Sequence, residues 1–153
     1  MSIDARLAEL GYVLPAVTTP KGNYKLAVRS GNQIFTAGHI PATANGDLVT
    51  GKVGLNVTPE QAYEAAHLVA LSLLATLKAE LGDLNKVKRL VKTMGFVNCV
   101  DGFSAQASVI NGCSDTFAKV FGDIGIGARS AVGTNALPLN VCVEIEVIVE
   151  VEA

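Results

Sequence analysis

GIGARSAVGTNALPLNVCVEIEVIVEV, residues 125–151, holds two extended runs around a short turn. Ala128 to Thr134 leads in, Leu137-Pro138-Leu139-Asn140 turns, and Val141 to Val151 alternates strictly between residue types. Val141, Val143, Ile145, Val147, Val149 and Val151 occupy one parity; Cys142, Glu144, Glu146, Ile148, Glu150 and Glu152 occupy the other. Successive side chains of a strand point to opposite faces, so this run reads as one strand with a β-branched core face and an acidic far face. The two runs read as a hairpin. Arg129 stands at the start of the first run, where a strand partner would carry it towards the acidic row.

Upstream, Phe103 to Phe121 reads as a helix ended by Gly122, weakened by Gly112, which costs roughly 1 kcal/mol relative to alanine in a helix interior. Val87 to Val100 has the pattern of a half-buried strand with lysines outside. The clearest helix starts at Thr58, where Thr58-Pro59-Glu60-Gln61 fits a capping box with proline at the first helical position. Ala62, Ala65, Ala66, Val69, Ala70, Leu73, Leu74 and Leu77 then recur at three- and four-residue steps, and Gly82 stops the run. The alanines permit close approach to a sheet. Leu26-Ala27-Val28 and Ile34-Phe35-Thr36 read as strands joined through Ser30-Gly31-Asn32, with a further short strand at Leu48 and Val49. Ile3 to Leu10 is a short helix closed by Gly11, expected as a packing arm.

Composition bounds what this architecture can do. The chain has 153 residues, half of them apolar and 17% charged, which suits a single domain over residues 1–153. Net charge is −2, aromatics are 5% and tryptophan is absent, so neither a basic field nor a stacking platform for nucleic acid is present. The N-terminus carries Asp4, Arg6 and Glu9 with no long apolar core, which argues against a secretion signal or a membrane span and for a cytoplasmic protein. Cys99, Cys113 and Cys142 are odd in number and lack CxxC spacing, so they read as small buried hydrophobes. With His39 and His67 the only histidines, no metal site is expected.

The order of elements predicts an α+β fold with two helices packed on one face of a mainly antiparallel sheet. The other face is left without cover, and a second copy of the chain is the expected cover.

GARSAVG followed by LPLNVCVEIEVIV resembles the C-terminal signature of the YjgF/Rid (reactive-intermediate imine deaminase, endoribonuclease L-PSP-like) family, in which an A-R-S segment precedes an LP turn and an EIE strand. FTAGHIP is similar to the family's TSGQIP segment, and Gly22-Asn23-Tyr24 to its G-P-Y segment. The similarity runs from about Gly22 to Val151. It implies a chorismate-mutase-like fold and a homotrimer whose sheets form a central β-barrel, with a small-molecule cleft between each pair of subunits.

Arg129 offers two parallel donors that match a carboxylate. Spacing alone leaves it open between that role and an ion pair with a glutamate of the last strand; the resemblance implies substrate binding. Glu144 matches the first Glu of the family's EIE, which implies a catalytic role in activating water, against the alternative of one solvated acid among Glu146, Glu150 and Glu152. The resemblance also implies Tyr24 as a residue closing the cleft and Asn111 as a hydrogen-bonding support. His39, where the family commonly has glutamine, is left open between lining the cleft, where it would titrate near its ordinary value, and being a loop histidine with no ligand role; Asn135 would supply a polar wall. His67, grouped with Glu60 and Glu64, reads as surface. The chain departs from the family at Ala37 and Ala131, where many members carry serine and cysteine, which marks a divergent branch.

Three function classes follow. The first is a deaminase hydrolysing 2-imino acids to 2-oxo acids and ammonia, with no metal or organic cofactor. The second is a non-catalytic trimeric binder of small carboxylates. The third is a ribonuclease or translation inhibitor, which the charge balance disfavours.

Overall fold

The computed structural model describes residues 1–153. Its elements are α1 (Ile3–Leu10), β1 (Ala27–Ser30), β2 (Gln33–Thr36), α2 (Pro59–Leu81), β3 (Val87–Asn98), α3 (Gln106–Phe121), β4 (Ala128–Thr134) and β5 (Val143–Val151). Three helices pack on a five-stranded mixed sheet of order β1-β2-β5-β3-β4. Three pairings are antiparallel, and β3 with β4 is parallel. The α+β class therefore stands, with a third helix in the layer. α1 joins it through an Asp4–Lys78 ion pair at 2.9 Å and an Arg6 Nε donation to the Lys119 carbonyl at 2.8 Å.

The expected hairpin of residues 125–151 does not form. β3 lies between β4 and β5, because a parallel β3/β4 pair needs a crossover and α3 supplies it. The chain then crosses the end of β3, and buried Asn98 pins the crossing. Its Nδ2 donates to the carbonyls of Gly51 and Val141, each at 3.2 Å, while its backbone N–H donates to the Cys142 carbonyl at 2.9 Å. Lys52 Nζ reaches Asn98 Oδ1 at 2.8 Å and the Asn135 carbonyl at 2.6 Å, tying a third loop in. The turn itself is sharp: Leu139 and Asn140 both adopt left-handed backbone, φ 57° and 58°.

β5 begins at Val143 rather than Val141, and Cys142 is buried instead of sharing the acidic face, since its N–H donates to Val49. The expected strand at Leu48 and Val49 is reduced to isolated bridges, Ala42 with Leu48 and Thr50 with Val141. α3 starts at Gln106, three residues later than expected, behind a turn in which Gly102 has φ 82°. The capping box at Thr58 is present, with Thr58 Oγ1 accepting from the Gln61 N–H at 3.1 Å and Gln61 Oε1 accepting from the Thr58 N–H at 2.9 Å.

The core lies between sheet and helices. Val143, Ile145, Val147, Val149 and Val151 are at most 1% exposed and face α2 and α3, beside the buried Thr93 and Val97. Burial of this kind contributes about 1.5–3 kcal/mol per large aliphatic side chain. On the opposite face, Val28, Phe35, Ile148 and Lys92 stand in register across β1, β2, β5 and β3, with Glu144 and Glu146 further along. Val28 is 52% and Phe35 41% exposed, so no element of this chain covers that face. No helix is long and apolar enough to cross a membrane.

Candidate functional site

Arg129 sits on edge strand β4 opposite Thr93, which in turn pairs with Val147. Residues paired across a sheet share a face, so Arg129 points to the helix side. Its Nη1 donates to Asn111 Oδ1 at 2.7 Å and to Ser114 Oγ at 3.2 Å, both on α3. The ion pairs that β5 does make run from Arg89 and Lys88 to Glu150, at 2.6 and 3.9 Å. None reaches Arg129. The alternative of an ion pair between Arg129 and the last strand is thus removed, and a half-buried guanidinium is left with neutral acceptors only. Cys113, fully buried nearby, gives no counter-charge, because burial pushes its thiol well above the ordinary range despite the arginine's opposing pull.

Glu144 lies on the other face of the sheet. Its carboxylate folds over Gly38, where a Cβ would overlap it, so the glycine is what admits the side chain. Burial, and then the charge of Glu146, push its carboxyl above the ordinary carboxylate range. No donor of the chain satisfies either oxygen, and neither is a buried orphan, so water reaches them.

Arg129 and Glu144 are two strands apart, about 10 Å sideways, and on opposite faces. One chain therefore does not bring them together. Tyr24, more than half exposed, precedes β1 at the far edge of the sheet, about 19 Å of strand spacing from β4. Asn135 follows β4 and is exposed; only its carbonyl is engaged, by Lys52. Asn111 alone of the expected residues meets Arg129, and it brings a partner that the sequence reading missed. Ser114 is three residues further along the helix, a spacing that puts both on one face.

The two histidines differ from expectation. His39 is buried beneath α2 with its ring between the Ala37 carbonyl (Nδ1, 2.7 Å) and Thr76 Oγ1 (Nε2, 2.8 Å). A carbonyl only accepts, so Nδ1 carries the proton and the Thr76 hydroxyl donates to Nε2. Burial pushes its pKa down, partly opposed by the Ala37 contact, so His39 belongs to the core and does not titrate at its ordinary value. His67 is half-buried rather than on the surface: its Nδ1 meets Thr116 Oγ1 at 2.7 Å and its ring lies 4.9 Å from that of Tyr12. Both follow from hydroxyls on neighbouring helices, which no local pattern reveals.

No three of the His, Cys, Asp and Glu side chains stand close enough to hold a metal. A mainly apolar hollow of about 850 Å³ between α1, residues 12–17 and the end of α2 contains none of the expected site residues.

The family model described as "YjgF/chorismate mutase-like, putative endoribonuclease" matches residues 4–151, and the chain belongs to this YjgF/Rid family. Protein TCP17 of Trypanosoma cruzi is 40% identical over 149 residues, 97% of this chain and 93% of that one. The crystal structure of an Agrobacterium tumefaciens protein of unknown function is 44% identical with a TM-score of 0.91, covering 98% of this chain and 92% of that one. A Shewanella oneidensis structure that shares the endoribonuclease description is 28% identical with a TM-score of 0.95, covering 99% and 100%.

Proposed function

We propose that the chain assembles as a homotrimer through its uncovered sheet face and binds small 2-oxo and 2-imino acids between subunits, hydrolysing the imino acids. The observation that carries this reading is Arg129, half-buried, held by two neutral acceptors and lacking any anion. Such a group favours a carboxylate that arrives with the ligand. A neighbouring copy has to supply Glu144 to the Arg129 cleft, because the two face apart within one chain. Tyr24 then reaches the same cleft from across that boundary.

In this mechanism Arg129 holds the carboxylate. Glu144 takes a proton from water as the hydroxide adds to C2 of the imine, then returns it to nitrogen, giving a carbinolamine with OH and NH₂ on C2. Glu144 next takes the hydroxyl proton and passes it to that nitrogen; as the C–N bond breaks, the C=O of the 2-oxo acid forms and ammonia leaves. Glu144 suits the task because burial brings its affinity for protons closer to neutrality. Ala37, with Ala131 on β4, replaces polar side chains common in the family, consistent with a more apolar substrate. Ala37 and Ala131 equally favour a second reading, in which the carboxylate is bound without turnover.

The test is ammonia release from freshly generated 2-iminopropanoate and longer imino acids, with light scattering for assembly. Wild type should accelerate release, and Arg129→Ala and Glu144→Gln should each lose it. A monomeric mass, or turnover indifferent to both substitutions, would sink the reading. Saturable 2-oxobutanoate binding without turnover selects the binder.

A further inference from the structure

The two bonds on Arg129 determine which side of its guanidinium faces a ligand. A guanidinium has five N–H donors: one on Nε and two on each terminal nitrogen. Nη1 has two, and α3 offers it two acceptors, Asn111 Oδ1 at 2.7 Å and Ser114 Oγ at 3.2 Å. Arginine donates only, so the asparagine oxygen and not its NH₂ faces Nη1. Nε and Nη2 have no partner in the chain. A carboxylate engages two parallel N–H groups at once, and the sole pair still free is Nε with Nη2.

We infer that Ser114 and Asn111 are positioning residues that make Arg129 a one-edged receptor, in which the carboxylate docks on the Nε–Nη2 edge. This rests on the carboxylate-binding reading above and specifies its geometry. Ser114 adds a second element. Having accepted from Nη1, its hydroxyl keeps its own hydrogen, for which the chain offers no acceptor. That hydrogen is available to an oxygen of the ligand beside the arginine.

The chain has four arginines, Arg6, Arg29, Arg89 and Arg129, so its side-chain Nε–H spectrum is simple to assign with Arg129→Lys. Titrating 2-oxobutanoate into the wild-type protein should shift the Arg129 Nε–H resonance downfield and leave the other three in place. Ser114→Ala and Asn111→Leu should each weaken 2-oxobutanoate binding about five- to twenty-fold, and Ser114→Thr, which keeps the hydroxyl, should restore it. A structural role alone would not move the Nε resonance with ligand. If 2-oxobutanoate binds and Arg129→Lys abolishes binding, yet the Nε resonance stays fixed or Ser114→Ala binds as wild type does, the edge assignment is wrong and the carboxylate reading survives. If Arg129→Lys leaves binding unchanged, or wild type does not bind, the carboxylate reading itself fails and takes this inference with it.

Discussion

An arginine half out of water with no anion beside it lowers the stability of its own fold. Removing such a charge is commonly neutral or favourable, whereas a binding role would make the same change fatal to function. Arg129→Met is therefore expected to keep or raise the stability, by up to about 1 kcal/mol, while abolishing 2-oxobutanoate binding. Calorimetric unfolding and titration on one sample check both halves. Gly38 provides the complementary case: Gly38→Ala forces the Glu144 carboxylate aside. Turnover should fall at least about tenfold with unchanged far-UV dichroism, since a small misplacement of a reacting group is enough. The raised carboxyl of Glu144 also has a pH signature. Above its raised pKa it is ionised and able to take a proton, so the rate should climb with pH through a midpoint above the ordinary carboxylate value. Its effect on stability has the opposite sense: the fold binds that proton more tightly than the unfolded chain, so this stabilisation is lost as pH rises through the raised value. Glu144→Gln should abolish both dependences.

At the scale of elements, local rules served best where one segment specified its own structure. Thr58 to Gln61 could be read directly, because a capping box needs only four adjacent residues. Alternation gave the two faces of β5 correctly from Val143 onward. What alternation does not encode is the neighbour. A period of two fits a hairpin and a crossover equally, so the insertion of β3 between β4 and β5 was hidden, and with it the separation of Arg129 from Glu144. Gly112 was misjudged for a similar reason. Taken alone it weakens α3, but a Cβ there would strike the Tyr63 carbonyl, so the glycine is what lets α3 approach α2 at this point. Gly112→Ala, favourable by helix propensity, is expected to destabilise the protein by about 1–3 kcal/mol through overpacking. The denaturation midpoint should fall with no change in slope.

For the molecule as a whole, both histidines are held neutral by burial. Their pKa values are lowered in the fold, so the unfolded chain binds more protons from about pH 6.5 downward and stability falls as acid is added through that window. His39→Gln, which keeps a partner for Thr76, should flatten part of the loss below about pH 6.5, with His67 accounting for the remainder. Denaturant melts at several pH values would show it. The fold class was legible because helices and strands alternate with clear faces. The site was legible only as a list of residues, since the hydroxyls of Ser114, Thr76 and Thr116 carry no periodic signal, and since Tyr24 and Glu144 lie apart from Arg129 in a single copy.

The strand order gives the molecule a timetable. β5 is the last strand in the chain, yet it occupies the middle of the sheet, and the β1–β2 ribbon touches the β3–β4 pair only through it. As the polypeptide emerges from the ribosome, two unfinished half-sheets with raw edges must wait for their keystone. Any delay there exposes sticky backbone, and a proline at Val147 should leave a species prone to clumping while sparing the secondary structure of α2.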